Sequence, residues 1–473
     1  MIELERSDIQ GLIFSGYKHQ PAGAYIFLRL SDRDGARAWL RSLLDEVTTA
    51  EHRPKVGRKA NLNVAFTSTG LLALGLSADT VSTFPIEFQQ GMATPNRARQ
   101  LGDTGDSAPE TWDFGGPDRP VDALLFLFGA SEDERAALVA AHRARFAEHR
   151  GVVEVALIES VSLGDDREHF GFRDGISQPS VEGVRPPRPD EIQTQVKPGE
   201  FVLGYTDEYA HAQLAPTMDP DEDPDDRFPV DGDDEHGRKA FARNGSYVVC
   251  RKLHQDVGAF WSFLGEKTRR TDGAADEEAM VLLGAKCMGR WPSGVSLVHA
   301  PDRDPGLPAG ERPRNDFNYG IDDQFGQKCP VTAHVRRAHP RDGLPPDPER
   351  SDVVNRRHRM LRRGKAYGPP LAEPRGGVDD GADRGTLFIC LQSNLRRQFE
   401  FVQQTWLNNA GFDTLYTDRD PIAGAQDGRG TLTIPGDPFR TRYAGVPRFV
   451  RTRGGGYFFL PGVKALRWLA DGR

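Results

Sequence analysis

The sequence predicts an α+β protein that arose by internal duplication, with antiparallel sheets and peripheral helices. β-rich runs alternate with segments of helical spacing in both halves of the 473 residues. The pair Leu125-Phe126 recurs as Leu387-Phe388, but at a longer spacing than the other residues that recur between the halves. Insertions are therefore expected in the second half. Each half is expected to follow the order β-α-β…β-α-β of a ferredoxin-like unit. The residues that recur without gaps at one constant spacing include a tryptophan: Gly23, Tyr25, Arg29 and Trp39 align with Gly245, Tyr247, Arg251 and Trp261.

The first half contains three predicted strands and two predicted helices. Residues 24–30 (AYIFLRL) and 123–128 (ALLFLF) are apolar, β-rich runs of strand length. Helical spacing predicts helices over 33–46 and 132–149, and residues 152–158 form the third strand. The first of these helices is assigned from one apolar face: Ala36, Trp39, Leu40 and Leu43.

The second half repeats this pattern. Residues 246–250 (SYVVC) predict a strand, and an apolar face then predicts a helix. Residues 386–391 (TLFICL) predict another strand, followed by a helix over about 396–409. A last strand at 457–460 leads into a C-terminal helix. The apolar face of the helix after the first of these strands consists of Val257, Phe260, Trp261 and Leu264.

Three segments follow from changes in composition. We predict an N-terminal ferredoxin-like domain over 1–185, an acidic, proline-rich connection over 186–240 and a C-terminal ferredoxin-like domain over 241–473. The acidic run in the connection is expected to be a solvated surface. Residues 301–318 and 340–351 are similarly polar and are expected to be loops.

Composition limits the class of function. The net charge of -8 argues against nucleic acid as a partner, because phosphate binding needs a basic surface. No apolar run reaches the roughly 18 residues of a membrane span, and no secretory signal is visible at the N-terminus. The four cysteines form no C-x-x-C pair and are expected to be buried thiols in a reducing, cytoplasmic compartment.

Two segments carry a candidate acid and a candidate histidine. In HFGFRDGISQPSVEG, residues 169–183, glycines on both sides of Asp174 permit a tight turn that presents its carboxylate to a ligand. Taken alone, this is more simply an Asp-Gly turn. In CPVTAHVRRAHPRDG, His334 precedes Arg336 and Arg337, which are suited to pairing with carboxylates of a ligand. A lone histidine is, however, more often structural.

The third segment is HRMLRRGKAYGPP, residues 358–370, in which Arg362 and Arg363 precede a glycine. Taken alone, it reads as a solvated basic turn. Together the segments resemble the dye-decolorising peroxidase family: GFRDG, HVRRAHPR, LRRGKAYG and GTLFICLQSN…FEFVQ occur in the family's order. The opening DIQGLIFSGY is also similar, and the long acidic excursions look more like the longer bacterial subgroup than the compact ones. The family's fold, a pair of ferredoxin-like domains, agrees with the duplication.

The resemblance implies a haem b cofactor and assigns roles around it. His334 is implied as the proximal iron ligand, Asp174 as the distal acid–base residue and Arg362 as the distal arginine. Phe388 and Thr386 are implied to line the distal pocket. The family often has leucine where Thr386 stands, so the polarity of the pocket is expected to differ here.

A carboxylate partner for the proximal histidine is expected before the last strand. Asp420 in DRDPIAG is the choice, with Asp418 and Asp427 as rivals. A carboxylate that accepts the imidazole N–H makes that ring a stronger electron donor to iron. Arg336 and Arg337 are expected to pair with the haem propionates.

The implied function is a haem peroxidase that reduces hydrogen peroxide and oxidises organic electron donors such as dyes and phenolics by one-electron steps. An aspartate base predicts an acidic optimum, since the reference pKa values of aspartate and histidine are about 3.9 and 6.5. One alternative is a haem-handling protein with incidental peroxidase activity. Another is a duplicated scaffold that binds a small ligand without haem. A monomer or small homo-oligomer is expected.

Overall fold

The fold is described from a computed structural model covering residues 3–51, 60–164, 166–184, 195–211, 215–232, 236–308 and 310–472. The strands are β1 (Ala22–Leu30), β2 (Ala60–Phe66), β3 (Ala123–Gly129), β4 (Val152–Glu159), β5 (Ser246–Gln255), β6 (Leu361–Arg362), β7 (Lys365–Tyr367), β8 (Gly385–Gln392), β9 (Gly430–Ile434), β10 (Thr441–Val446) and β11 (Val450–Leu460). The helices are α1 (Arg33–Leu43), α2 (Ser68–Ala73), α3 (Ala78–Ser82), α4 (Ile86–Gln90), α5 (Pro95–Leu101), α6 (Glu132–Glu148), α7 (Val257–Lys267), α8 (Glu277–Met288), α9 (Tyr319–Asp322), α10 (His334–Ala338), α11 (Pro348–Arg356) and α12 (Val463–Asp471).

The sheet confirms the predicted duplication. The first half has the strand order β4-β1-β3-β2, and the second half has the order β11-β5-β8-β6. Both are the same antiparallel arrangement, with the last strand of each unit beside its first. The two units join where Phe459 of β11 pairs with Phe66 of β2, which gives one nine-stranded sheet. The α+β class with antiparallel strands and peripheral helices is therefore confirmed.

The predicted elements form for the expected local reasons. Asp32 caps α1 by accepting from the N–H of Gly35, and the apolar face of this helix buries Trp39 completely. β3 is buried on both faces because helices cover one side of the sheet and loops cover the other. The predicted helix over 396–409 is instead two π-helical turns, over Arg396–Glu400 and Val402–Leu407. Such turns are rare and often occur at functional sites.

Apolar side chains cover both faces of the sheet. One layer lies between the sheet and the helices α1 and α12. The layer on the other face contains aromatic residues of β1, β3 and β11. A third cluster joins α7 and α8 to Phe170 and Phe172, next to the cavity described below. Among the described residues, no helix combines the length and apolar character needed to cross a membrane.

The predicted division at 185/186 and 240/241 stays a prediction. Parts of the expected acidic excursion over 186–240 lie outside the described residues, namely 186–194, 212–214 and 233–235. Described parts of it pack on the first half: Glu222 accepts hydrogen bonds from Ser77 and Thr80 at 2.9 and 3.0 Å. The expected loop at 340–351 includes the first turn of α11.

Candidate active site

A cavity of about 310 Å³ lies against the sheet of the second half. Alternate residues of a strand share one face, so β5 and β8 each contribute a row of side chains to it. Other parts of the boundary include α10, the π-helical turns, the loop that follows β4 and the loop after Asp420. Lining residues from the two strands are Arg251, Leu253, Gln255, Thr386 and Phe388. The cavity also brings together His334, Asp174 and Arg362 from three separate segments.

His334 is held by a buried carboxylate. It is the first residue of α10, and its Nδ1 lies 2.9 Å from Oδ2 of Asp420, which is fully buried. Oδ1 of Asp420 accepts from the backbone N–H groups of Ile422 and Ala423 at 2.8 and 2.7 Å. This fixes the carboxylate and leaves Nε2 of His334 as the ring nitrogen available to a metal in the cavity.

The charges of this pair reinforce each other. Burial lowers the pKa of His334, but the Asp420 carboxylate outweighs burial and raises this pKa above its ordinary value. Burial raises the pKa of Asp420, whereas His334, the charge of Arg337 and the backbone N–H of Ala423 bring it below its ordinary value. Of the three candidate carboxylates, Asp420 is the one for which the structure gives a hydrogen bond with His334. Of its rivals, Asp418 accepts from the hydroxyl of Thr431, and Asp427 is an exposed partner of Arg419.

Asp174 and Arg362 form a loose ion pair at the cavity. Nη2 of Arg362 lies 3.7 Å from Oδ1 of Asp174, and this oxygen also accepts from the N–H of Gly175 at 2.6 Å. Gly175 has a φ of 73°, a conformation that favours glycine. Gln178 ties the loop to β6, because its amide accepts from the N–H of Arg362 and donates to the carbonyl of Arg362. Asp174, Arg362 and His334 line the same cavity. The charge of Arg362 lowers the pKa of His334, and the charge of Asp174 raises it.

Glu168 shapes the same loop, and sequence reasoning missed it. Its two carboxylate oxygens accept from the backbone N–H groups of Phe170 and Phe172, each at 2.9 Å. Gln255 at the end of β5 donates a third hydrogen bond at 2.5 Å. These contacts fold the segment that leads to Asp174. The available signal was position alone, because Glu168 immediately precedes the HFGFRDG motif.

The placement of Arg336 and Arg337 argues against the predicted propionate contacts. Both side chains are buried, and neither residue is among those that line the cavity. Arg336 donates to the carbonyls of Asp323 and Cys329 and pairs with the Asp323 carboxylate at 3.1 Å. Arg337 donates to the backbone carbonyls of Trp406, Asn409 and Asp418. These hydrogen bonds join α10 to the second π-helical turn and to the segment that follows it.

Two other arginines fit that role better. Arg290 and Arg341 line the cavity, are nearly fully buried, and share the side-chain oxygen of Asn315 at 2.7 and 2.6 Å. Within the described part of the chain, neither forms an ion pair within 4 Å. Burial and the charge of Arg341 lower the pKa of Arg290 to about 10. Buried positive charge without an acidic partner is costly, so this end of the cavity favours an anionic ligand. The signal for Arg341 was the last position of the HVRRAHPR motif.

Glu168 makes the stability of the fold depend on pH. Burial raises its pKa to about 7, despite hydrogen bonds that lower it. An unfolded glutamate has a pKa of about 4.3, so this group favours folding most below that pH, and its contribution is lost as pH rises through 7. We expect the excess unfolding free energy of wild type over Glu168→Gln to decrease across this window. Denaturant unfolding at several pH values measures it. A pH-independent difference would contradict the assignment, and Glu182→Gln is the control.

A duplicated ferredoxin-like protein with a carboxylate-bound histidine and an acid–guanidinium pair on one cavity has the architecture of a haem peroxidase. Residues 8–157 match the DyP dimeric alpha+beta barrel domain, and residues 217–425 match the Dyp-type peroxidase C-terminal domain. A dye-decolorizing peroxidase of Mycena epipterygia is 30% identical over 445 residues, covering 86% of this chain and 76% of that protein. The chain belongs to the dye-decolorising peroxidase family.

Two further comparisons cover nearly the whole chain. The multifunctional dye peroxidase DyP2 of an Amycolatopsis species is 29% identical over 484 residues, which is 94% of this chain and 91% of that protein. The crystal structure of a fungal DyP-type peroxidase from Auricularia auricula-judae superposes with a TM-score of 0.78 at 27% identity, covering 99% of this chain and 100% of that one. The resemblance inferred from four motifs is thus confirmed along both halves.

Proposed function

We propose that this protein is a haem b peroxidase in which His334 binds the iron and Asp174 and Arg362 activate hydrogen peroxide. The observation that carries the proposal is the convergence of these three side chains on one cavity, with Asp420 bound to the far nitrogen of His334. The cavity also fits the cofactor chemically. Its lining is mainly apolar, and Arg290 and Arg341, which form no ion pair within 4 Å among the described residues, supply positive charge suited to the propionates.

When bound, the haem would supply the redox chemistry that couples the two-electron reduction of hydrogen peroxide to two one-electron oxidations of organic donors. Asp174 would accept the proton from the inner oxygen of the bound peroxide and deliver it to the outer oxygen, which leaves as water when the O–O bond breaks. Arg362 stabilises negative charge on that oxygen. Asp420 keeps a proton on Nδ1 of His334 and so holds the imidazole in the orientation and tautomer that expose Nε2.

The proposed partners are hydrogen peroxide and organic electron donors such as dyes and phenolics. We also propose a monomer or small homo-oligomer in the cytoplasm. The four cysteines support a reducing compartment, because all are buried free thiols. The haem-handling alternative requires His334 but gives no reason for an arginine and an aspartate to be placed together at the cavity.

The absorption spectrum of the purified, haem-loaded protein tests the proposal. We expect a Soret band and a rapid spectral change on addition of one equivalent of hydrogen peroxide, followed by return when a phenolic reductant is added. Haem binding without a rapid response to peroxide would favour the haem-handling alternative. Absence of a Soret band after expression with sufficient haem would favour a scaffold for another ligand.

Replacing Asp420 tests the proximal carboxylate. Asp420→Asn keeps the shape of the side chain but removes the negative charge beside His334. Loss of a carboxylate behind a metal-bound histidine typically lowers activity by about 10–100-fold, and we expect that range here. The iron reduction potential should rise, because the imidazole becomes a weaker donor. Potentiometry and peroxide kinetics measure both, with Asp427→Asn as the exposed control. An unchanged potential would argue against the role of Asp420.

A further inference from the structure

A chain of hydrogen bonds runs from the cavity to the loop that carries Asp174. Oγ1 of Thr386, in β8, donates to Oε1 of Gln255 at 3.0 Å. Nε2 of Gln255, the last residue of β5, donates to Oε2 of Glu168 at 2.5 Å. Thr386, Gln255 and Glu168 all line the cavity. The chain therefore links two strands and a loop at the wall of the site.

The chemistry of Glu168 sets the direction of this chain. Both of its carboxylate oxygens accept hydrogen bonds, one from the backbone N–H of Phe170 and the other from that of Phe172. An ionised carboxylate only accepts hydrogen bonds, so above the pKa of Glu168 the Gln255 side chain turns its NH₂ towards Glu168 and its oxygen towards Thr386. A threonine hydroxyl has one proton, and Thr386 uses it in the hydrogen bond that it donates to Gln255. The oxygen of Thr386 is left able to accept a hydrogen bond from a ligand but not to donate one.

The hydroxyl of Thr386 is flanked by apolar side chains. Cross-strand partners share a face, so Leu253, which pairs with Thr386, stands beside it. Phe388 lies on the same face two positions along β8, and Arg362 pairs with Cys390 further along that strand. Thr386 thus has an apolar residue on each of these two sides. Its oxygen complements Arg362, which can only donate.

We propose that Thr386 is a specificity-determining residue that accepts a hydrogen bond from an O–H or N–H group of a ligand bound beside Asp174 and Arg362. Gln255 and Glu168 act as positioning residues that keep it an acceptor. The inference rests on the proposed haem site, since the ligand is bound on the side of the cofactor that faces these residues. Ligands with a donor group are favoured over ligands of similar shape without one.

Matched probes test this directly in the ferric, haem-loaded protein. Imidazole and N-methylimidazole bind iron through the same kind of nitrogen, but only imidazole keeps an N–H. Thr386→Val preserves the β-branched shape and removes the hydroxyl. We expect it to weaken imidazole binding by roughly two- to tenfold, the worth of one hydrogen bond, and to leave N-methylimidazole within twofold. Thr386→Ser should bind both as wild type does. Absorbance titration gives the dissociation constants without turnover.

A second variant tests the direction of the chain. Gln255→Leu removes the acceptor for the hydroxyl proton, so Thr386 becomes free to donate. Fluoride, which can only accept, should then bind more tightly than in wild type by a similar factor. Equal weakening of both imidazoles in Thr386→Val, or no change in either, would overturn the proposal, as would unchanged fluoride binding in Gln255→Leu. Failure of wild type to hold haem would instead overturn the proposed function, and this inference with it.

Discussion

Asp174→Asn should lower the rate constant for the reaction with hydrogen peroxide by roughly 10²–10⁴-fold, the usual contribution of a positioned acid–base group. Asparagine matches aspartate in size but cannot accept the peroxide proton. Arg362, 3.7 Å from Asp174, should remain in place because Gln178 holds its backbone. Haem content and the Soret band should therefore be unchanged. Stopped-flow absorbance after mixing with peroxide measures the rate, and pyridine extraction measures the haem.

Asp166→Asn is the matched control for this experiment. Asp166 lies in the same loop, its side chain is 65% exposed, and it pairs with Lys18 at the surface. It has a φ of 55°, which asparagine also tolerates, so the substitution should not disturb the loop. If Asp174→Asn reacted within a few-fold of wild type, another base would be responsible. Glu168, the other carboxylate of this loop that lines the cavity, would then be the residue to test.

Sequence patterns predicted six of the eleven strands in the described part of the chain and missed five, namely β2, β6, β7, β9 and β10. β2 alternates Asn61 and Asn63 with apolar residues, yet both asparagines are buried. Asn63 is satisfied by Tyr17 and Gln10, which reach it from a distant segment. Polar residues that are buried against tertiary partners look like exposed ones in sequence, so the alternation carried no clear signal.

The duplication was visible, but the register was not. Tyr25 pairs with Phe126 in the first half, as β1 runs against β3. In the sequence, Tyr247 corresponds to Tyr25 and Phe388 corresponds to Phe126, so the duplication predicts that Tyr247 pairs with Phe388 in the second half. Tyr247 instead pairs with Gln392, and Phe388 pairs with Arg251. The shift is even, so each side chain keeps its face and the sheet still presents the correct row to the cavity.

Some residues of the candidate site can be predicted from sequence motifs, whereas others reach the cavity only when the chain folds. Asp174, His334 and Arg362 lie in motifs, and the structure places them at one cavity. Arg336 donates to the backbone carbonyl of Cys329, and sequence does not distinguish such a partner from the carboxylate of a bound ligand. Arg290 comes from a different element, after α8, and reaches the cavity only through tertiary packing.

His334→Ala should abolish stable haem binding, because it removes the one imidazole at the cavity whose second nitrogen is fixed by a carboxylate. After reconstitution and gel filtration, we expect the Soret absorbance per protein to fall to background. His19→Ala, at an exposed position, should retain full occupancy. Added imidazole should restore part of the band by occupying the space that the side chain leaves. Full haem retention without imidazole would place the iron ligand elsewhere.

The same substitution leaves Asp420 buried without its partner, and this separates ligation from folding. Removing one member of a buried charged pair costs about 3–5 kcal/mol. The loss here should lie at or below that range, because two backbone N–H groups still solvate the carboxylate. Asp420→Asn in the His334→Ala background removes the unpaired charge. This double variant should regain stability in thermal unfolding without regaining haem. If it regained both, the single variant would have failed by misfolding, and His334 would not be the ligand.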